Sequence, residues 1–76
     1  MKTITIHCHA KNSGGHYSES INIEGIGKEK LKEISDEVFA NAENALGRYF
    51  YEVECFDELT EEESAILGEL ELTPDF

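Results

Sequence analysis

The chain has 76 residues, 39% of them hydrophobic, and a formal charge of −11 from 17 acidic against 6 basic side chains. That length supports one domain with a single thin core, which buries roughly 60–65% of the surface of the unfolded chain. The charge opposes direct binding to nucleic acid or to an anionic membrane, whose phosphates would repel it, and no apolar run approaches the ~18 residues of a spanning helix.

The opening MKTITIHCHAK alternates and carries no apolar secretory core, so the expected location is cytoplasmic. Ile4, Ile6, Cys8 and Ala10 share one parity, while Thr3, Thr5, His7 and His9 share the other. Period two with β-branching predicts a strand over residues 3–10. The cluster at 11–15, KNSGG, predicts a turn, and a second strand follows over 16–24 with Tyr17, Ile21 and Ile23 on one parity. Setting Ala10 opposite Tyr17 pairs Ile4 with Ile23, Ile6 with Ile21 and Cys8 with Glu19, which brings the apolar positions of both strands to one face.

Residues 28–46 predict a helix. Leu31, Ile34, Val38, Ala42 and Ala45 recur at spacings of three and four, widened by Phe39 and Leu46, and Gly47 suits the residue beyond its end. A third strand is expected over 48–56, with Tyr51, Val53 and Cys55 inward. Glu52 and Glu54 then point outward, and Phe50 and Phe56 share their parity. Thr60 with Glu63 forms a capping-box pattern that starts a second helix, with Ala65, Ile66, Leu67 and Leu70 on its buried side. Gly68 is a candidate stop, and residues 69–72 (ELEL) read equally as helix or as a short extra strand. The expected fold is α+β: a three-stranded antiparallel sheet of order 2-1-3, a long helix on one face, and a short C-terminal helix.

The charge is unevenly distributed. Residues 1–51 carry seven acids and all six bases, for a net of −1, whereas residues 52–76 carry ten acids and no base. Glu52, Glu54, Asp57, Glu58, Glu61, Glu62 and Glu63 fall within 12 positions. Capping and the helix dipole explain two or three of them. The remainder repel one another. A surface that is read by a basic partner would account for keeping them, since carboxylates spaced along a strand and a helix can stand in for backbone phosphates. Phe50 and Phe56 beside these acids add the aromatic component of a protein-binding patch.

Other chemistry is thinly represented. His7-x-His9 places two imidazoles on one strand face, and a zinc site there would need a carboxylate from a neighbouring strand, Glu52 or Glu54. Without such a third ligand the histidines are solvent-facing, and no metal or other cofactor is expected. Cys8 and Cys55 have neither metal-like nor redox spacing and read as free thiols. Gly25-x-Gly27 lacks the third glycine of a dinucleotide loop and follows a hairpin strand, so it reads as turn chemistry. No nucleophile–base pattern is visible, and no enzymatic activity is expected.

In size, acidity and compact α+β pattern the whole chain resembles the small proteins that phages encode to inhibit host defences, anti-CRISPR proteins among them. That resemblance implies a non-enzymatic inhibitor or adaptor that occupies a nucleic-acid-binding or assembly surface of its target, in some cases as a DNA mimic. It carries over no individual residue. The expected partner is a nucleic-acid-handling protein with a basic surface, engaged by Phe50, Glu52, Glu54, Phe56, Asp57, Glu58, Glu61, Glu62 and Glu63. Two alternatives belong to other classes: a structural module that self-associates, as a homodimer for example, through Phe50 and Phe56 with the acids only solubilising it, and a metal-binding domain using His7 and His9.

Overall fold

In the computed structural model, which describes residues 2–12 and 14–74, five elements follow one another. They are β1 (Thr3–Ala10), β2 (His16–Asn22), α1 (Lys28–Leu46), β3 (Tyr49–Glu54) and α2 (Glu61–Glu69). Ser13 of the hairpin turn and Asp75 of the acidic tail lie outside the described residues. The strands form one antiparallel sheet of order β2-β1-β3. The fold is α+β, as the patterning predicts. β1 takes the centre because its alternation is the strictest. Ile4, Ile6, Cys8 and Ala10 are buried beneath the helices, and Thr3, Thr5, His7 and His9 face the side without a helix.

The hairpin register differs from the expected one by two residues. Ile4 pairs with Ile21, Ile6 with Glu19 and Cys8 with Tyr17. Ala10 N–H donates to Gly15 O at 2.9 Å, and Ile23 N–H donates to Lys2 O at 2.9 Å beyond the strand end. This closes the turn two residues earlier, and Gly14 supplies a positive φ of 72°. A slip of two preserves parity, so the apolar face survives the change. The partners on the other face do not: His7 lies opposite Ser18, and His9 lies opposite His16. β2 ends at Asn22 rather than at 24, and β3 spans 49–54 rather than 48–56.

α1 has the bounds that its periodicity predicts. Its buried stripe is Leu31, Ser35, Val38 and Ala42, a four-three-four spacing, with Ile34, Phe39 and Leu46 half-buried beside it. Ala45, expected in the stripe, is exposed. Ser35, next to the expected Ile34, is buried in the stripe at no polar cost, because its hydroxyl donates to Lys32 O at 3.0 Å. Cys55 lies past the end of β3 and is half-buried, with its Sγ donating to Asp57 O at 3.5 Å. It is remote from Cys8, which pairs with Tyr51 at the other end of the ladder, so both thiols are free.

Residues 69–72 form no strand. α2 runs through Gly68 to Glu69, and Leu67 is its one fully buried residue, with Ile66 and Leu70 half-buried and Ala65 exposed. The chain then reverses. Leu72 N–H donates to Leu67 O at 2.7 Å and Glu71 N–H donates to Gly68 O at 3.2 Å. These are the two bonds of a Schellman motif, and Leu72 folds back, fully buried, beside Leu67. The reversal needs a positive φ, supplied here by Glu71 at 60°. At the end of α1 the same need falls to Gly47, with φ 72° and ψ −117°, a combination open in practice only to glycine.

The two helix ends therefore respond oppositely to substitution. Glu71→Gly is expected to raise stability by roughly 0.5–1 kcal/mol, because it removes a left-handed non-glycine residue. Gly47→Ala is expected to lower it by about 1–3 kcal/mol through backbone strain alone, since a Cβ there would meet nothing within 4 Å. Urea denaturation of the two variants checks both signs.

Candidate functional site

The acids of the last third of the chain divide into those engaged in holding the fold and those that are not. Thr60 caps α2: Glu63 N–H donates to Thr60 Oγ1 at 3.1 Å, and Thr60 N–H donates to Glu63 Oε1 at 2.8 Å, which completes the capping box. The same Oε1 accepts Lys2 Nζ at 2.7 Å. Lys2 and the Thr60 amide hold the Glu63 carboxyl below its ordinary 4.5, and the Glu63 hydrogen bond raises Lys2 above 10.5. Asp57 Oδ2 accepts the Thr3 N–H at 3.0 Å. Glu54 Oε1 lies 3.1 Å from His7 Nε2, and Glu69 Oε2 lies 3.0 Å from Lys28 Nζ.

The tail acids are thus less uncompensated than their run in sequence implies, because folding brings Lys2 and Lys28 to them. Among the described residues, Glu52, Glu58, Glu61, Glu62 and Glu71 remain with side chains that make no hydrogen bond or ion pair. Glu58, Glu61 and Glu62 are exposed and Glu52 is half-buried.

The nine residues expected to bind a partner do not form one surface. β3 turns Phe50, Glu52 and Glu54 to the open face of the sheet, beside His7 and His9. α2 lies on the opposite, covered side, where Leu67 and Leu72 join the core and Tyr51 OH donates to Glu71 O at 2.8 Å. Glu62 and Glu63 there edge a cleft of about 400 Å³, with Ile23, Ile26 and Ile66 among its lining residues. Between the two faces, the 55–60 connection carries Phe56, Asp57 and Glu58. Phe56 is 87% exposed and Phe50 48%. Phe50 packs its ring on His9, with centroids 5.1 Å apart, and stands at the far end of β3 from Phe56, so the two aromatics are not one apolar patch.

Phe56, Glu58, Glu61 and Glu62 therefore form a run of exposed side chains with no internal role. Two features of this region were not readable in the sequence. Lys2 and Glu63 are 61 positions apart, and no local pattern links them. His16 reaches His9 only because of the two-residue register difference.

Cys8 is buried, and loss of solvent raises its thiol pKa, the reverse of an activated cysteine. As the side chains stand, no three His, Cys, Asp or Glu residues among those described converge on a metal position. Among the described residues, no helix is long and apolar enough to cross a membrane. No family model, curated protein or solved structure matches this chain.

The Lys2–Glu63 pair makes a pH-dependent contribution with a defined sign. A carboxyl lowered from 4.5 stabilises the fold above that value and loses the effect as pH falls through its lower folded value. An amine raised from 10.5 stabilises below that value and loses the effect as pH rises through its higher folded value. Glu63→Gln keeps an oxygen for the Thr60 amide and removes the ion pair. Its urea midpoint is expected to lie below that of the native chain between these limits, and the difference is expected to close in acid below pH 4.5.

Proposed function

We propose that this protein is a non-enzymatic inhibitor or adaptor that binds a basic surface of a nucleic-acid-handling protein, in the manner of the small anti-defence proteins it resembles. The observation that carries this reading is the segment at 56–62. It presents a nearly fully exposed phenylalanine, Phe56, followed by three carboxylates, Glu58, Glu61 and Glu62, that have no hydrogen bond or ion pair among the described residues.

Structural acids do not account for this segment. The capping box is complete with Thr60 and Glu63, and Asp57 already closes the start of β1. Placing Glu61 and Glu62 in the first turn of α2 suits the helix dipole, but Glu58 lies outside the helix, and Phe56 gains nothing from the fold by standing in water. An exposed aromatic followed in the chain by exposed carboxylates matches a basic, partly apolar partner surface. Carboxylates on this segment would compete there with the phosphates of nucleic acid. Glu52 and Glu54, on the other side of the sheet, are peripheral in this reading, and Asp57 and Glu63 position the segment rather than touch the partner.

A pull-down with the tagged chain tests it, using rising salt and duplex DNA as competitor. The expected capture is of basic, nucleic-acid-binding proteins, released by salt and displaced by DNA. The triple variant Glu58→Gln, Glu61→Gln, Glu62→Gln is expected to lose most of this capture with its circular dichroism unchanged, and Phe56→Ser to weaken it at least tenfold. Capture that ignores salt and survives the triple variant would overturn the proposal.

A further inference from the structure

The open face of the sheet carries a second cluster, independent of the acidic segment. His7 and His9 point outward from β1, and the observed register sets His16 of β2 directly across from His9. Three imidazoles thus arise from two adjacent antiparallel strands on a face that no helix covers. The ring centroids of His9 and His16 are 5.0 Å apart, and those of His7 and His16 are 5.8 Å apart. A tetrahedral ion bound at about 2.0–2.1 Å to three imidazole nitrogens holds their ring centroids about 5 Å apart. Two of the three ring pairs, His9–His16 and His7–His16, therefore already stand near the spacing such an ion requires.

We propose that His7, His9 and His16 bind one divalent transition-metal ion, zinc in the first instance, on this face. The His7 and His16 rings are now stacked at 25° and those of His9 and His16 tilted at 41°, so binding needs side-chain rotation. His16 is exposed and His7 and His9 are half-buried, so rotation about their χ angles displaces no core residue. Glu54 supports the arrangement. A neutral His7 that donates Nε2–H to Glu54 Oε1, 3.1 Å away, carries its lone pair on Nδ1, and such carboxylate partners commonly orient metal-bound histidines. The third ligand is thus an imidazole rather than the strand carboxylate that the sequence suggests, and Glu54 acts from behind His7. Three neutral nitrogen donors favour zinc, copper or nickel over magnesium or calcium. A fourth position would remain for water.

Calorimetric titration of the untagged full chain with zinc tests the assignment. One ion per chain is expected, with saturation at micromolar zinc and no response to magnesium. His16→Ala is expected to weaken binding at least tenfold, and Glu54→Gln to weaken it by a smaller factor, while Cys55→Ser leaves it unchanged. The imidazole proton resonances of all three histidines should shift together on zinc addition. The assignment is overturned if zinc does not bind in that range, if His16→Ala binds as the native chain does, or if sedimentation shows one ion bridging two chains.

Discussion

The strict alternation of β1 is the constraint on which the rest of this structure depends. Four inward side chains, Ile4, Ile6, Cys8 and Ala10, form the floor on which the helices pack. Four outward ones, Thr3, Thr5, His7 and His9, define the open face. As the central strand, β1 also uses both of its edges, so its position fixes β2 on one side and β3 on the other. A slip of one residue would exchange isoleucines for histidines in the core, an error that a chain of this size could not tolerate. A slip of two costs far less, and it is at this level that turn closure at Gly15 decides the pairing.

α2 is attached by a different balance of forces. Leu67 and Leu72 are fully buried, and burial of a leucine is worth about 1.5–3 kcal/mol. Surface ion pairs contribute little by comparison. The apolar pair therefore holds the helix down, and the polar contacts at Lys2, Lys28 and Tyr51 orient it. The Schellman reversal links the two leucines and places Leu72 in the core despite its position in an acidic tail.

This division also sorts the acids. Glu54, Asp57, Glu63 and Glu69 each meet a donor contributed by the first half of the chain. Glu52, Glu58, Glu61, Glu62 and Glu71 do not, and Glu58, Glu61 and Glu62 follow Phe56 closely in the chain. Screening in physiological salt acts over ~8 Å, so acids on opposite faces of the sheet would act on a partner separately. The open face, with its imidazoles, and the segment at 56–62 are accordingly two surfaces with different chemistry, held apart by one sheet.

Much of the fold was legible in the sequence. The bounds of α1, the parity of every strand and the capping box at Thr60 and Glu63 follow from local periodicity and from hydrogen-bonding rules that act within four residues, and the 2-1-3 order follows from the β1–β2 hairpin and a right-handed crossover through α1. The exposure of Phe50 follows from the same parity, whereas Phe56 lies past the end of β3. Tertiary structure alone decided the hairpin register, the burial of Ser35, the exposure of Ala45, and the inward return of Leu72. It also decided which carboxylates Lys2 and Lys28 neutralise, and that His16 stands beside His9. Each of these depends on contacts between residues whose separation in sequence carries no periodic signal, or on a choice between arrangements of equal parity that only packing and turn closure can separate.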